Sequence, residues 1–316
     1  MKSMNEVIHN ILPMTFLTIF SAPKPFVDLH IRLIQRNAIA SWCRLGADVE
    51  VILAGEEPGL AETAHEFGVR HLAQVGRNRL GTPLVSSIFG LVQANSTTPL
   101  LAYVNADILL LTSFVTMARW MMERKGKFLL VGQRWDLDVG EPLEFSPGWA
   151  GRLEDQLQKE GSLHAPAGSD YFIFPRGCFE KIPDFSIGRA GWDNWMIFEA
   201  RRQGWQTVDA TKSITIIHQQ HDYAHLPGGQ PHHHLPETDE NIRLAGGREV
   251  TRFSLLDADH QLVNGRLRNR SWNFETLRRA IETYPLLKWN NYSLTAKFTS
   301  FFHRLKYKFH AQKVNP

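Results

Sequence analysis

The sequence predicts an α/β protein built around a mostly parallel sheet with helices on its faces. Two observations indicate this class. Short uninterrupted apolar runs, such as residues 15–20 and 100–104, alternate with stretches whose apolar residues recur every three or four positions. A strand covered on both faces reads as a continuous apolar run, and strands that alternate with helices are typical of parallel sheets. The composition agrees, because 43% of the 316 residues are hydrophobic and 21% are charged, as in ordinary globular proteins.

The elements of the first 133 residues follow from these periods in chain order. The strands predicted there are residues 15–20, 49–53, 69–72, 100–104 and 128–131. The helices predicted between them, each with one apolar stripe, are residues 26–45, 58–67 and a third that starts at Thr82. Thr82 reads as an N-cap because Pro83 follows it, and proline is favoured at the first helical position.

The sequence becomes less regular from about Arg134, where tryptophans, prolines and glycines interrupt the pattern. The elements predicted in this part are strands over residues 171–174 and 213–218 and a helix over residues 192–202. Two helical stretches and a basic tail follow Arg270. We therefore divide the chain into three parts, residues 1–133, 134–270 and 271–316.

The charge balance argues against a nucleic-acid partner. The chain has 35 Lys+Arg against 32 Asp+Glu, a net charge of +3, whereas a non-specific nucleic-acid binder usually shows a dominant basic excess. No glycine-rich phosphate loop follows the first predicted strand, so NAD and P-loop chemistry are disfavoured as well.

Several features favour a cytoplasmic protein. No run reaches the roughly 18 apolar residues that a membrane-spanning helix needs. We interpret the apolar residues 11–22 as the first strand and not as a signal peptide, because only Lys2 supplies a lysine or arginine charge before them and Pro23 follows at once. Two cysteines, Cys43 and Cys178, cannot form a disulfide framework, which favours a reducing compartment.

Polar residues follow the predicted strands, where open parallel sheets bind ligands. The sharpest of them is Asp107, which comes after Asn105 and Ala106 and has apolar residues on both sides. Burying a carboxylate there costs several kcal/mol unless something pairs with it. A divalent metal that carries a diphosphate would do so. The other interpretation is that Asp107 caps a helix that begins near Thr112.

A second pair of acids, Asp136 and Asp138, follows the strand predicted over residues 128–131. We rank this pair below Asp107 because it lies in a polar stretch with Arg134 and Glu141 nearby, where acidic side chains are usually solvated.

Asp193 lies between Trp192 and Trp195 at the start of a predicted helix. Two large rings would form a platform for a sugar and would partly desolvate the acid, which raises its basicity. The alternative is a helix cap, for which aspartate is common.

A histidine-rich loop follows the strand predicted over residues 213–218. His218 stands directly at the strand end and is a candidate ligand for Zn²⁺ or Mn²⁺, with a solvated loop residue as the alternative. For the triplet His232, His233 and His234 we expect a solvated loop.

The order of these features resembles the GT-A nucleotide-sugar glycosyltransferases over roughly residues 14–225. Asn105, Ala106 and Asp107 stand where that family has an Asp-X-Asp motif, with Asn105 in place of the first acid. Asp170 lies in a segment that resembles the donor-sugar strand, residues 168–172.

The base-bearing helix of inverting members resembles the segment that contains Trp192 and Asp193. His218 resembles a late metal ligand.

The resemblance implies a hexosyltransferase-like enzyme that moves a sugar from a nucleoside-diphosphate sugar to a hydroxyl of a glycan or lipid-linked acceptor, with inversion. Asp193 would be the general base, and Asp107 and His218 would hold Mn²⁺ or Mg²⁺. Residues 1–133 would bind the nucleotide sugar, and residues 134–270 would bind the acceptor and carry the catalytic acid. The loop that would lie against the nucleotide is formed by Ser21, Ala22, Pro23 and Lys24.

Two other functions stay open at this point. A nucleotidyltransferase that acts on a sugar phosphate uses a similar α/β half, but the loop of residues 21–24 lacks the glycines typical of that class. A non-catalytic carbohydrate-binding relative is favoured by Asn105, which cannot supply the charge of the missing acid.

The basic tail, residues 271–316, has two interpretations. Its apolar residues at helical spacing are Phe298, Phe301, Phe302, Leu305 and Phe309. Such a stripe packs against its own domain or, beside basic residues, lies on an anionic membrane surface. The second interpretation predicts peripheral contact with the cytoplasmic face of a membrane.

Overall fold

The computed structural model describes residues 15–124, 126–221 and 235–314. Within them, nine strands form a main sheet in the order β13-β12-β10-β6-β9-β4-β1-β2-β3. Neighbouring strands run parallel except where β9 pairs with β4 and β6 and where β12 pairs with β13. The predicted α/β class with a mostly parallel sheet is confirmed. The strands of this sheet are β1 (Leu17–Ser21), β2 (Val49–Ala54), β3 (Arg70–Leu72), β4 (Leu100–Val104), β6 (Phe128–Val131), β9 (Tyr171–Pro175), β10 (Gln206–Asp209), β12 (His260–Val263) and β13 (Arg266–Asn269).

A smaller sheet of four strands carries much of the candidate site. Its order is β5-β11-β7-β8, with β11 antiparallel to β5 and parallel to β7. The strands are β5 (Ile108–Leu110), β7 (Trp135–Leu137), β8 (Ser162–Leu163) and β11 (Ile216–Gln219). Three of them were not predicted, because two or three residues are too few to show a strand period.

Helices cover both faces of the main sheet. They are α1 (Leu29–Trp42), α2 (Leu60–Phe67), α3 (Val85–Asn95), α4 (Thr112–Met122), α5 (Trp149–Glu160), α6 (Trp192–Arg202), α7 (Pro236–Ala245), α8 (Phe274–Trp289) and α9 (Tyr292–Val314). Alternate residues of one strand enter opposite apolar layers: Leu17 and Ile19 of β1 pack in the layer with α1, α2 and α4, and Phe20 packs in the layer with α3 and α6. This two-sided burial explains why β1 reads as a continuous apolar run.

The start of α3 differs from the prediction. The helix begins at Val85, its N-cap is Leu84, and Thr82 does not cap it. The carbonyl oxygen of Pro83 accepts a hydrogen bond from the Ile187 backbone N–H at 3.0 Å, and Leu84 forms a β-bridge with Ser186. Residues 83 and 84 are therefore held extended by long-range pairing, which overrides the local capping signal.

The strand predicted over residues 213–218 is shifted as well. It is observed as Ile216–Gln219, because Ser213 and Ile214 donate their backbone N–H groups to Ala210 in a turn that follows β10.

The first two predicted parts of the chain contribute strands to the same sheet. The main sheet takes β1 to β4 and β6 from residues 1–133 and β9, β10, β12 and β13 from residues 134–270. Residues 271–316 supply α8 and α9. In the described part of the chain, no helix combines the length and the apolar character needed to cross a membrane.

Candidate functional site

The candidate site lies where β1 and β4 end. These strands are parallel neighbours, so the residues that follow them, 21–24 and 105–107, lie at the same edge of the sheet. This is the edge at which open α/β sheets bind ligands. The predicted grouping of the two segments therefore agrees with the topology.

The smaller sheet brings two histidines to Asp107. Asp107 directly precedes β5, and His218 of β11 is paired with Ile108 of β5. The backbone carbonyl of Asp107 accepts hydrogen bonds from the backbone N–H of Gln219 at 3.2 Å and from its side-chain amide at 3.1 Å. His221 Nε2 lies 3.1 Å from Asp107 Oδ2, and His218 Nε2 lies 3.9 Å from it.

Asp107, His218 and His221 have the geometry of a metal site. One ligand atom from each lies within 4.8 Å of the others. Asp107 Oδ1 is buried and accepts no hydrogen bond from the described residues, a state that costs free energy unless a ligand or ion pairs with it. One carboxylate and two imidazoles form a donor set that suits Mn²⁺ or Zn²⁺. The residues present therefore fit a divalent cation.

The charge states of this cluster also suit metal binding. Burial alone would raise the pKa of Asp107, but the hydrogen bond from His221 and the positive charges near it, including Lys24, hold that pKa well below its usual range. Burial lowers the pKa of His218, and the negative charge of Asp107 opposes this effect only in part. At neutral pH the acid is therefore ionised and the His218 imidazole is neutral, as metal ligands must be.

Asp136 orients the ring of His218. Its carboxylate lies 3.1 Å from His218 Nδ1 and 2.8 Å from His164 Nδ1, and Arg134 Nε donates to it at 2.9 Å. Burial would raise the pKa of Asp136, but the hydrogen bond from His164 and the charge of Arg134 lower it. Because Asp136 is then an acceptor, His218 carries its proton on Nδ1, which leaves the Nε2 lone pair on the side of Asp107. Carboxylates support metal-binding histidines in this manner.

Arg134 joins this cluster to Asp170. Its Nη1 donates to Asp170 Oδ1 and Oδ2 at 3.0 and 3.1 Å, and Asn105 Nδ2 donates to Asp170 Oδ1 at 2.9 Å. The Tyr103 hydroxyl donates to Asn105 Oδ1 at 2.9 Å, which fixes the amide in that orientation. An aspartate at position 105 would place a second negative charge against Asp170, so the neutral amide is the group that this arrangement requires.

Asp193 stands in the first turn of α6, beside the aromatic layer. Trp192 is buried, with its ring centroid 5.1 Å from that of Tyr103 and 5.6 Å from that of Phe172. Burial raises the pKa of Asp193, and the charge of Asp170 adds to the rise, while hydrogen bonds from backbone N–H groups at the helix start oppose it. Asp193 is thus both a helix-start residue and a carboxylate of increased basicity.

The loop after β1 is partly polar and is tied to α1 by hydrogen bonds. The backbone of Lys24 exchanges two hydrogen bonds with the side-chain amide of Gln35, at 2.6 and 2.9 Å. Burial lowers the pKa of Lys24, and the negative charge of Asp107 opposes that shift. Ser21 is fully buried, and its hydroxyl has no hydrogen-bond partner among the described residues. Ala22 packs against the apolar layer of α3 and α6, and Pro23 is buried.

The structure brings Lys24, Asp107 and His218 together, and it links Asn105 and Asp170 to them through Arg134 and Asp136. Ala106 is partly buried between Asn105 and Asp107. Asp138 is exposed, in contrast to Asp136. The triplet of residues 232–234 lies outside the described residues.

Sequence reasoning did not select four side chains of this cluster: Arg134, Asp136, His164 and His221. Asp136 was recognised and ranked below Asp107 because its neighbours in sequence are polar. One of these neighbours, Arg134, is its hydrogen-bond donor in the fold. His221 had a usable signal in its spacing of three residues from His218 at a strand end.

Among the proteins compared, this chain is similar only to solved structures. No protein-family model matches the chain, and no curated protein matches it. Glucosyl-3-phosphoglycerate synthase from Mycobacterium tuberculosis, in complex with Mn²⁺, UDP and phosphoglyceric acid, is similar at 14% identity and a TM-score of 0.45, over 82% of this chain and 87% of that chain.

A mannosyltransferase from Pyrobaculum calidifontis, in complex with GDP-Man and Mn²⁺, is similar at 11% identity and a TM-score of 0.40. That match covers 65% of this chain and 56% of that chain. Because these TM-scores lie below 0.5, the function proposed below rests on the geometry of the site.

Proposed function

We propose that this protein is a metal-assisted glycosyltransferase that moves a hexose from a nucleoside-diphosphate sugar to an acceptor hydroxyl. The observation that carries the proposal is the group of Asp107, His218 and His221 at the carboxyl edge of the sheet, where the buried Asp107 Oδ1 has no hydrogen-bond partner among the described residues. Lys24 adds a further cation beside it. A diphosphate is the ligand that such a combination of cation sites recognises.

A bound divalent cation would neutralise the charge that develops on the leaving diphosphate. Asp107, His218 and His221 would hold it, and Asp136 would keep His218 in the required tautomer. Two imidazole ligands favour Mn²⁺ over Mg²⁺, which prefers oxygen ligands and retains its waters.

Asp193 would act as the general base. Its raised pKa makes it a better proton acceptor than an exposed aspartate. In the proposed step, Asp193 takes the proton of the acceptor hydroxyl, the acceptor oxygen bonds to the anomeric carbon, and the bond from that carbon to the diphosphate breaks. Attack opposite the leaving group inverts the anomeric configuration.

The parts of the chain would divide these roles. Residues 1–133 contain Lys24 and Asp107 and would bind the donor nucleotide, with the loop of residues 21–24 against it. Residues 134–270 contain Asp193 and would bind a glycan or lipid-linked acceptor. Both cysteines are free thiols, which favours a reducing, cytoplasmic location.

The test is a donor screen with the purified chain. A panel of nucleotide sugars is incubated with Mn²⁺, and release of nucleoside diphosphate is measured with and without a chelator. We expect release from one donor, stopped by the chelator and by Asp107→Ala, and unchanged in the exposed control Asp138→Ala. Formation of a nucleoside triphosphate and a sugar phosphate from the donor, dependent on added pyrophosphate, would indicate a nucleotidyltransferase, and binding without turnover would indicate a carbohydrate-binding protein. Either result would overturn the proposal.

A further inference from the structure

Helix α8 buries two charged side chains and exposes several large apolar ones. Arg279 and Glu282 are 6% and 1% exposed. The opposite face carries an apolar stripe at helical spacing, and its members with their exposed fractions are Phe274 79%, Leu277 50%, Ile281 40% and Tyr284 50%. Helices that pack on a core normally show the reverse arrangement.

A buried ion-pair network fixes this orientation. Arg279 donates to both oxygens of Asp257 at 3.2 and 2.7 Å, to Glu282 at 3.1 Å and to the carbonyl of Arg252 at 3.0 Å. Rotating α8 to bury its apolar stripe would carry Arg279 away from Asp257, which is 2% exposed, and would leave that carboxylate buried without its partner. Such a loss is strongly unfavourable. The ion-pair network therefore keeps the apolar stripe on the outer surface.

The exposed stripe continues into a groove against α9. The groove has a volume of about 400 Å³ and is lined by Ala280, Ile281, Tyr284, Pro285, Trp289 and Phe298. Trp289, which lines the groove, is 61% exposed. Trp272, just before α8, and Phe301 of α9 are 63% and 56% exposed. We call the exposed side chains of the stripe, together with Trp272, Trp289 and Phe301, the α8–α9 surface.

Positive charge is concentrated in the segment of the chain that carries this surface. Residues 271–316 contain eight Lys+Arg and two Asp+Glu, whereas the remainder of the chain has more acids than bases. Lys288, Lys297 and Arg304 are exposed. A cationic segment with exposed Phe, Leu and Ile beside Trp and Tyr matches the chemistry of an anionic lipid surface, in which aromatic rings lie at headgroup level.

We propose that the α8–α9 surface docks this protein on an anionic lipid bilayer, with α8 lying in the plane of the interface. The apolar stripe enters the boundary between headgroups and acyl chains, and the surrounding lysines and arginines pair with lipid phosphates. The sequence predicts this contact through the apolar stripe from Phe298 to Phe309. The structure places the larger apolar area on α8.

The experiment is co-sedimentation of the full chain with vesicles. We expect binding to mixed phosphatidylglycerol–phosphatidylcholine vesicles and much weaker binding to pure phosphatidylcholine. The variant Phe274→Ser/Leu277→Ser/Ile281→Ser should lower the partition coefficient roughly 100-fold, because three apolar side chains lose their insertion. Lys288→Gln/Lys297→Gln should lower it roughly 30-fold on anionic vesicles. These side chains are exposed, so both variants should keep the wild-type melting temperature.

A matched control removes apolar side chains elsewhere. Val27, Leu29 and Leu80 are 72%, 81% and 73% exposed, and their joint change to Ser should leave vesicle binding unchanged. Equal binding of the α8 variant and the wild type would overturn the proposal, as would failure of the wild type to bind anionic vesicles. Dimerisation in sedimentation velocity that the α8 variant abolishes, without vesicle binding, would assign the surface to a second copy instead. None of these results depends on the proposed enzymatic activity.

Discussion

Replacing Arg134 tests how much the charge network of the candidate site contributes to stability. It bridges Asp136 and Asp170 with three hydrogen bonds of 2.9 to 3.1 Å. The exposed fractions of the three side chains are 21%, 15% and 9% for Arg134, Asp136 and Asp170. Arg134→Met keeps the length of the side chain and removes its charge and its hydrogen bonds.

The expected loss in the free energy of unfolding lies between two known limits. Breaking a fully buried ion pair costs about 3–5 kcal/mol, and an exposed pair is worth about 0–1 kcal/mol. Because this network is mostly buried and retains some contact with solvent, we expect Arg134→Met to lower the free energy of unfolding by about 2–3 kcal/mol at neutral pH. Urea denaturation followed by tryptophan fluorescence measures this quantity.

The loss should depend on pH with a definite sign. The pKa of Asp136 is lowered in the folded protein, so its ion pairs contribute stability above the unfolded pKa, near 4, and lose it as the pH falls through the folded value. The difference between Arg134→Met and wild type should therefore shrink below about pH 4.

Two variants complete this test. Arg243→Met breaks an exposed pair with Glu240, whose side chains are 69% and 51% exposed, and should cost less than about 0.5 kcal/mol. Adding Asp170→Asn to Arg134→Met should restore part of the stability, because it removes one uncompensated charge. A loss below about 1 kcal/mol for Arg134→Met, or no recovery in the double variant, would refute the view that the site is a desolvated charge network.

The remaining predictions concern turnover and metal binding. Asp193→Asn should lower kcat by roughly 10²-fold or more, the usual scale of general-base catalysis. A nucleotide titration should show unchanged donor affinity. Near wild-type turnover would mean that Asp193 has only a structural role at the start of the helix. Because the pKa of Asp193 is raised by burial and by Asp170, the acid limb of the kcat/KM profile should move to lower pH in Asp170→Asn, and an unmoved limb would assign it to another group. Asp136→Asn should weaken Mn²⁺ binding by roughly 10–100-fold in calorimetry, whereas exposed Asp138→Asn should not change it.

Most of the main fold could be predicted because its elements carry their own local signals. β4, β6 and α6 have the predicted bounds, since each is a long enough run with a clear period and clear ends. The start of α3 could not be predicted, because pairing of Leu84 with Ser186, about a hundred residues away in sequence, decides it. The strands of the smaller sheet, β5, β7 and β8, are too short to be recognised without their partners.

Some residues of the candidate site likewise have a local signal in the sequence, and others depend on long-range pairing. Asp107 was found because a carboxylate among apolar residues is a local anomaly that demands a partner. His221 was not chosen from the six histidines of residues 218–234. Its one local signal was its spacing from His218, and the pairing of β11 with β5 is what brings it to Asp107. Asp136 was ranked below Asp107 because its sequence neighbours, such as Arg134, resemble solvated residues. In the fold, Arg134 and the distant His164 are its hydrogen-bond donors.

The most direct test of the metal-assisted site is anomalous diffraction from crystals soaked with Mn²⁺ and a nucleoside diphosphate. We predict one strong manganese peak enclosed by the Asp107 carboxylate and the imidazoles of His218 and His221, with the diphosphate on the side of Lys24. The same soak of Asp107→Ala crystals should show no manganese there. A manganese peak at another group of residues, or a diphosphate bound away from the end of β4, would contradict the assignment.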